Sequence, residues 1–244
     1  MKIAVGFYGL YRTFDYTIQQ WNHDIFKNHD LDFYCSTWNR SMVRGKQPNE
    51  KEAIDVTKDM ILKKLPNANV SIFDEYLVGW NIHNWFKWTF HVRNLLTEIK
   101  QSKIKYDLVI LLRFDVILES YLTNKTEIKQ DFNEVLNEKD NTVFVFNYCP
   151  NGDDGWMEKT VPYSGDFAFL GTLKNLYNIF GNRYPVPQYE YRPENNHQLF
   201  GEYLKNIEQD GWFEDIKKIK NTGFVNLIRG EDINQGIHSY YKGD

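Results

Sequence analysis

Three short sequences combine glycine, arginine and aspartate in a way that suits a phosphorylated ligand. Gly9 and Arg12 stand three residues apart in GLYRT, and a guanidinium can donate two parallel hydrogen bonds to a diphosphate. Asp115 in RFD offers a carboxylate to a divalent cation that would bridge the phosphates. Asp166 in SGDFAF offers a second carboxylate, suited to align an acceptor hydroxyl or to take its proton.

Each of these residues also has a purely structural interpretation. Arg12 could be a surface arginine at the start of a helix, and Asp166 could be a turn residue. Asp115 could form an ion pair with Arg113 that merely terminates a strand. A single carboxylate makes a weak metal site. The residue types therefore leave a binding role and a structural role open at every one of these positions.

Two further groups of polar residues could take part in a site. His83, Lys87 and His91 recur every four residues, so on a helix they share one face. That face suits a metal or a phosphate, but the spacing equally describes a solvated helix side, which we favour; Lys87 is kept as a candidate phosphate contact. His238 is a candidate late metal ligand, although a histidine near the chain terminus is more commonly exposed.

The chain must contain elements that position these residues, and strand and helix patterns alternate along it. Apolar or β-branched runs predict strands, and helical spacing of apolar residues predicts helices. Together they predict an α/β fold with a mostly parallel sheet and helices on both faces. Strands are predicted at residues 2–8, 32–38, 70–73, 106–112, 142–148 and 167–170, and helices at 15–28, 52–65, 81–101, 173–180 and 194–208.

The position of the candidate residues relative to these strands favours a single site. Residues 106–112 are nearly all apolar, which is typical of a central strand covered on both faces. Arg113 and Asp115 follow this strand directly, and Gly9 and Arg12 follow the first strand. Ligands of open α/β sheets bind beyond the carboxyl ends of the strands, so we expect these residues to lie at one edge.

Composition narrows the class of protein. The 244 residues carry a formal net charge of −4, which argues against general nucleic-acid binding because phosphate backbones attract a clustered excess of Lys and Arg. A single domain over residues 1–244 is expected, with 206–244 as a C-terminal cap. Cys35 and Cys149 fall in strand-like runs, so buried free thiols are expected. The sequence has neither a dinucleotide-binding Gly-x-Gly-x-x-Gly nor a Walker loop.

Five segments, in this order, resemble GT-A-like glycosyltransferases found in viruses, phages and bacterial surface-polysaccharide loci. The resemblance extends over about residues 1–205, and it implies a GT-A-like, Rossmann-like sheet. The segments are KIAVGFYGLYRTF, LDFYCSTWN, KYDLVILLRFDVIL, SGDFAFLGT and RPENNHQLFGEYL.

The resemblance implies a role for each matching residue. Asp115 stands in the place of the metal-binding Asp-x-Asp. Asp166 and Glu194 border the acceptor and are the candidate catalytic residues. The residues expected to contact the nucleotide sugar are Gly9, Arg12, Trp38, Lys87 and Arg113.

The activity implied is transfer of a sugar from a nucleoside diphosphate sugar to a glycan or other hydroxyl acceptor, with Mn²⁺ or Mg²⁺ as cofactor. Arg113 replaces the first aspartate of Asp-x-Asp, so the metal requirement stays open, because a guanidinium can itself neutralise a departing diphosphate. The alternative is a noncatalytic module that binds a carbohydrate or a nucleotide sugar. A nucleotidyltransferase is disfavoured because its Gly- and Lys-rich triphosphate loop is absent from the sequence.

The sequence also predicts where the protein works. Its longest apolar run is far shorter than the ~20 residues that span a bilayer, and Met1 leads directly into a strand pattern rather than a signal peptide. We therefore expect no integral membrane segment, no nucleic-acid partner and a cytoplasmic location, in the host cell if the source is a virus.

Overall fold

A computed structural model describes most of the first half of the chain and the sheet of the second half. The described residues are 1–22, 24–42, 53–75, 77, 84–118, 133, 135–148, 168–182, 204, 207, 216 and 218–227, some of them by their backbone alone.

The described strands and helices alternate, as the sequence predicts. The strands are β1 (Lys2–Gly9), β2 (Asp30–Trp38), β3 (Arg40–Met42), β4 (Ala53–Asp55), β5 (Asn69–Phe73), β6 (Leu108–Arg113), β7 (Val116–Leu118), β8 (Thr142–Tyr148), β9 (Ala168–Gly171) and β10 (Lys218–Leu227). The helices are α1 (Phe14–Thr17), a 3₁₀ turn (Ile18–Asn22), α2 (Asp24–Lys27), α3 (Lys58–Leu62), α4 (Asn84–Gln101), α5 (Leu173–Tyr177) and a π-helical turn (Asn178–Asn182).

Eight of these strands form one sheet in the order β5-β2-β1-β6-β9-β8-β10-β7. The pairs β5/β2, β2/β1, β1/β6 and β8/β10 are parallel, whereas β9 and β7 run antiparallel to their neighbours. The strands β3 and β4 form a separate antiparallel pair. The expected α/β class with a mostly parallel sheet is confirmed.

The core lies on both faces of this sheet because β1 and β6 are apolar on both sides. Residues Leu108 to Leu112 of β6 are fully buried. On one face, Ile3, Val5 and Phe7 pack with side chains of α1, α2 and α3; on the other, Ala4 and Tyr8 pack with α4 and α5. The alternation along β1 follows from the two-residue period of a strand. Helices on both faces are therefore confirmed.

Gly6 explains how closely α4 approaches the sheet. A Cβ placed on Gly6 would lie 2.7 Å from Leu111 Cδ2 and 3.1 Å from Leu95 Cδ1. A side chain at this position would force Leu111 and Leu95 to shift, so glycine suits the close approach of the helix to the strands. Leu95 belongs to the buried stripe of α4, with Val92, Leu96 and Ile99, at the spacing of an amphipathic helix.

Several predicted boundaries are wrong. The predicted helix at 52–65 is the strand β4 followed by α3, which begins only after Thr57, whose hydroxyl accepts a hydrogen bond from the backbone N–H of Met60. The predicted helix at 15–28 is divided into two short helices and a 3₁₀ turn. Of the predicted helix at 194–208, only Leu204 and Ile207 are described, and both are helical and buried.

The segment expected as a C-terminal cap contributes a strand to the sheet. β10 lies between β8 and β7, parallel to the former and antiparallel to the latter. Residues 218–227 are thus part of the sheet and not a cover over it. Most of the remaining cap segment and Cys149 lie outside the described residues, whereas Cys35 is a buried free thiol, as expected. No helix among the described residues is long and apolar enough to cross a membrane.

Candidate functional site

Four of the predicted site residues meet at the carboxyl edge of the sheet. β1 and β6 are adjacent parallel strands, and Tyr8 pairs in register with Arg113. The loop containing Gly9 and Arg12 and the turn containing Asp115 therefore leave the sheet side by side. This agrees with the expectation that a ligand site of an open α/β sheet lies beyond the carboxyl ends of its strands.

The loop after β1 has an unusual backbone that two contacts fix. Gly9 has a φ of 94° and Arg12 a φ of 41°, and the left-handed region favours glycine over residues with a side chain. The N–H of Arg12 donates to Ser41 Oγ at 2.7 Å, and the N–H of Phe14 donates to the carbonyl of Tyr11 at 3.0 Å. These bonds hold a strained arginine backbone in place at the sheet edge.

The side chains of Arg12 and Arg113 converge on the carboxylate of Asp115. Arg12 Nη1 donates to Asp115 Oδ2 at 2.5 Å. Arg113 donates from Nε to Oδ1 at 3.0 Å and from Nη2 to Oδ2 at 2.8 Å. Both oxygens of Asp115 thus accept from guanidinium groups, and Arg113 binds in the bidentate manner that is strongest for this pair. We call these three residues the Arg–Asp–Arg cluster.

Buried hydrogen bonds fix the turn that carries Asp115. Thr17 Oγ1 donates to the carbonyl of Phe114 at 2.6 Å, and Gln20 Nε2 donates to the carbonyl of Val116 at 2.9 Å. The ring of Phe114 packs edge-on against Phe14 with 4.8 Å between centroids. These contacts join the helical segment after β1 to the turn after β6, so they connect the two halves of the site.

Burial and charge decide what the cluster can bind. Asp115 is 1% exposed, and the side chains of Arg12 and Arg113 are 16% and 15% exposed. The three side chains together carry one net positive charge, close to an edge where Gly9 leaves open space: a Cβ added there would meet no atom within 4 Å. Such a cluster is suited to an anion, because charges interact more strongly away from bulk water.

Asp115 does not fit the role of a cation ligand that its sequence position implied. Both of its oxygens accept hydrogen bonds from arginines, and a divalent cation would have to displace two positive groups to reach them. Among the described residues, no group of three or more His, Cys, Asp or Glu side chains could hold a metal ion. The structural alternative considered for Asp115, an ion pair with Arg113, is present in the structure.

Trp38 is a core side chain in the structure and not a surface for ligand stacking. It is 3% exposed, and its ring stacks on Phe90 with centroids 5.5 Å apart. The His91 ring lies edge-on at 4.2 Å. Trp38 ends β2 at the same sheet edge as Gly9, so the strand was located correctly, but α4 covers the indole.

The face of α4 that was predicted to be solvated is largely buried at His91 and Lys87. His91 is fully buried, with Nδ1 2.9 Å from Ser36 Oγ, and burial lowers the pKa of its imidazole to about 3. Lys87 is mostly buried and donates to Glu75 at 2.5 Å. The predicted solvated face is therefore wrong for His91, and the Lys87 ammonium already has a carboxylate partner.

The remaining predicted residues, Asp166, Glu194, His238 and His83, lie outside the described residues. Three further residues support the site and were not predicted from the sequence, namely Thr17, Gln20 and Ser41. Thr17 and Gln20 stand three residues apart on one helical face, which is a usable signal. Ser41 lies in β3, which the sequence pattern did not reveal.

No family model matches the sequence, and no curated protein matches it. Among solved structures, the chain is similar to mouse xyloside xylosyltransferase 1, with a TM-score of 0.39, 9% identity and coverage of 99% of this chain and 93% of that one. It is similar to the galactosyltransferase LgtC in complex with donor and acceptor sugar analogues, with a TM-score of 0.39, 8% identity and coverage of 98% and 94%.

A glycosyltransferase involved in glycosylation of the major capsid of PBCV-1 is also similar, with a TM-score of 0.36, 9% identity and coverage of 99% of this chain and 89% of that one. None of these likenesses assigns a role to a side chain of this protein.

Proposed function

We propose that this chain is a glycosyltransferase that moves a sugar from a nucleoside diphosphate sugar to a glycan or another hydroxyl acceptor. The observation that carries the proposal is the convergence of Arg12 and Arg113 at the carboxyl edge of the sheet, 2.5 Å and 2.8 Å from Asp115 Oδ2. Two fixed guanidiniums beside an open glycine loop suit a diphosphate. The resemblance of the five sequence segments to GT-A-like glycosyltransferases supports the same activity.

The chemistry requires a leaving group that can depart as an anion. In the transfer, the acceptor oxygen bonds to the anomeric carbon, and the bond from that carbon to the β-phosphate oxygen breaks. The electron pair leaves with the nucleoside diphosphate. Arg12 and Arg113 would stabilise this developing charge, which is the kind of electrostatic stabilisation that contributes most to many enzymes.

We propose Asp166 as the base that takes the acceptor proton, with Glu194 beside the acceptor. β9 begins at Ala168, which pairs with Leu112 next to the carboxyl end of β6. Asp166 precedes Ala168 by two residues in the sequence, and consecutive Cα atoms are about 3.8 Å apart. The start of β9 therefore lies at the edge where Arg113 lies, which supports the proposal that Asp166 and Arg113 serve one substrate.

A donor panel tests the proposal. Purified protein is mixed with UDP-, GDP- and dTDP-sugars, and both thermal unfolding and release of free nucleotide are recorded. One sugar nucleotide should raise the unfolding temperature and be cleaved, and cleavage should fall at least tenfold in Asp166→Asn and in Arg113→Lys. Arg93→Lys is the matched control, because Arg93 lies on the exposed side of α4.

The outcomes separate the two functions that the sequence left open. Stabilisation without cleavage of any donor, with or without added glycan acceptors, would identify a noncatalytic nucleotide-sugar-binding module. No gain of stability from any of the donors, together with no cleavage, would overturn the proposal.

A further inference from the structure

Resting on the proposed function, we propose that Asp115 is a positioning residue and that the Arg–Asp–Arg cluster binds the donor diphosphate directly, without a divalent cation. In this assignment Asp115 holds Arg12 and Arg113 in a fixed pair, and the two guanidiniums supply the positive charge that a cation would otherwise supply to the diphosphate. The carboxylate itself touches neither substrate nor metal.

The hydrogen bonds of Asp115 are the first support. A carboxylate that binds a hard cation must offer it an oxygen, yet Oδ1 accepts from Arg113 Nε and Oδ2 accepts from both Arg12 Nη1 and Arg113 Nη2. Asp115 is also 1% exposed. A cation at either oxygen would lie beside two guanidinium charges of the same sign, which is unfavourable in a site of low exposure.

The net charge of the cluster is the second support. One buried carboxylate stands between two arginines, so the three side chains of the cluster together carry a formal charge of +1. Arg12 Nε is buried and has no hydrogen-bond partner among the described residues. A buried N–H donor of this kind is normally satisfied, and a phosphate oxygen is an acceptor of the right charge.

The fixed geometry is the third support. The backbone of Arg12 is pinned by Ser41 Oγ at 2.7 Å, and Thr17 Oγ1 pins the Phe114 carbonyl at 2.6 Å. Arginine side chains lose substantial rotamer freedom when a ligand immobilises them. Here both guanidiniums are already held before the ligand arrives, so the binding of a diphosphate requires little further ordering.

Calorimetric titration of the full chain provides the test. UDP, GDP, CDP, dTDP and inorganic pyrophosphate are titrated separately into protein in EDTA and into protein in MnCl₂. The proposal expects at least one nucleoside diphosphate to bind with dissociation constants that agree within threefold between the two buffers. Pyrophosphate measures binding to the Arg–Asp–Arg cluster without a contribution from the nucleobase.

Two contrary outcomes are distinguishable. A nucleoside diphosphate that binds in MnCl₂ but at least thirtyfold more weakly in EDTA would overturn the metal-free assignment and leave the glycosyltransferase proposal standing. Failure of every nucleotide and of pyrophosphate to bind in either buffer would overturn both proposals.

A variant of Arg113 tests whether the Arg–Asp–Arg cluster binds the diphosphate. Arg113→Lys loses the planar fork of the guanidinium and should weaken nucleotide binding at least tenfold in EDTA and in MnCl₂ alike, whereas Arg93→Lys should bind within twofold of the wild type. Unchanged binding by Arg113→Lys would overturn the assignment of the Arg–Asp–Arg cluster as the diphosphate site. This comparison leaves Asp115 unchanged, so it does not depend on whether a variant of that buried carboxylate folds.

A spectroscopic readout tests the positioning role of Asp115. In ¹H–¹⁵N spectra of the arginine side chains, the Nε–H signals of Arg12 and Arg113, assigned through their lysine variants, should shift when the diphosphate is added in EDTA. In Asp115→Asn the same signals should broaden before ligand is added, because the guanidiniums lose their anchor. Signals that stay sharp in that variant, or that move only with Mn²⁺, would contradict the assignment.

Discussion

Arg12 and Asp115 lie 103 residues apart in the chain and are joined by a hydrogen bond of 2.5 Å between Nη1 and Oδ2. The bond connects the loop after β1 to the turn after β6, the two segments that leave the sheet side by side. The bond therefore positions two side chains of the site and also stabilises the fold.

The first prediction concerns this shared carboxylate. Asp115→Asn removes the counter-charge of two mostly buried arginines, and loss of one partner from a buried ion pair costs about 3 to 5 kcal/mol. We expect a decrease of that size in the free energy of unfolding, measured by urea titration. Asp55→Asn is the control: Asp55 also pairs with an arginine, but its side chain is 89% exposed and 4.0 Å away from Arg40 Nε. A decrease in Asp115→Asn no larger than that of the control would show that the pairing contributes nothing.

The second prediction concerns the backbone of the loop after β1. Gly9 has a φ of 94°, and a Cβ added there would meet no atom within 4 Å, so Gly9→Ala introduces strain without a clash. A left-handed conformation costs a residue with a side chain roughly 1 to 2 kcal/mol. We expect a loss of stability of that size and weaker nucleotide binding, since the loop carries Arg12.

Gly6→Ala provides the contrasting case for Gly9→Ala. It would place Cβ 2.7 Å from Leu111 Cδ2 and should destabilise by overpacking, with nucleotide affinity unchanged in the folded fraction. If Gly9→Ala were as stable as the wild type and bound nucleotide equally well, the loop geometry described here would be incorrect.

The third prediction is a pH dependence of stability that arises from His91. Burial lowers the pKa of its imidazole to about 3, whereas an unfolded histidine has a pKa near 6.5. Below pH 6.5 the unfolded chain therefore binds a proton that the folded chain excludes, and stability falls as the pH decreases from 6.5 towards 3. One pKa unit corresponds to about 1.4 kcal/mol, so His91 should account for a loss of roughly 2 kcal/mol at pH 5 relative to pH 8.

Urea unfolding at several pH values checks this prediction. His91→Gln can still hydrogen-bond Ser36 but does not titrate, and it should remove most of the decrease between pH 7 and pH 5. The remainder is expected from His29, whose pKa burial also lowers. An equally steep decrease in His91→Gln would assign the pH dependence to other groups.

The fourth prediction concerns the opposite, amino edge of the sheet. Tyr106 donates to Asp32 Oδ2 at 2.6 Å, and its hydroxyl is 2.8 Å from that of Tyr34; burial and the bond to Asp32 raise the pKa of the Tyr106 phenol. Tyr106→Phe should cost about 1 to 3 kcal/mol, because it removes a donor from a charged acceptor. Tyr34→Phe removes only a neutral bond and should cost about half as much. Nucleotide affinity should stay unchanged in both, which distinguishes this edge from the site.

The location of the site at the carboxyl edge of the sheet could be predicted because the candidate residues directly follow predicted strands. The apolar run that ends at Leu112 marks a central strand, and Arg113 and Asp115 follow it; Gly9 and Arg12 follow the first strand in the same way. In a parallel sheet these positions must lie at the same edge. The register of Tyr8 with Arg113 shows that they are also neighbours.

The partners of the side chains could not be predicted because they depend on contacts distant in sequence. A carboxylate after a strand suits a cation or an arginine equally, and only the approach of Arg12 across 103 residues decides for the arginine. Trp38 and His91 are misleading for a related reason. Trp38 was expected to contact the nucleotide sugar and His91 to lie on a solvated helix side, but the packing of α4 on β2 places both side chains in the core.

The insertion of β10 between β8 and β7 sets the order in which the sheet can assemble during synthesis. Val225 of β10 pairs with Leu118 of β7. More than a hundred further residues must therefore be synthesised after β7 before its partner strand is available. At translation rates of roughly 5 to 20 residues per second, that interval lasts about 5 to 20 s. The strands β1, β2, β5 and β6 are complete by Arg113 and can pair early, whereas the other side of the sheet must stay open until late. Nascent chains halted between residues 150 and 215 should therefore expose an unpaired strand edge, the kind of surface that chaperones bind and that aggregates when unprotected.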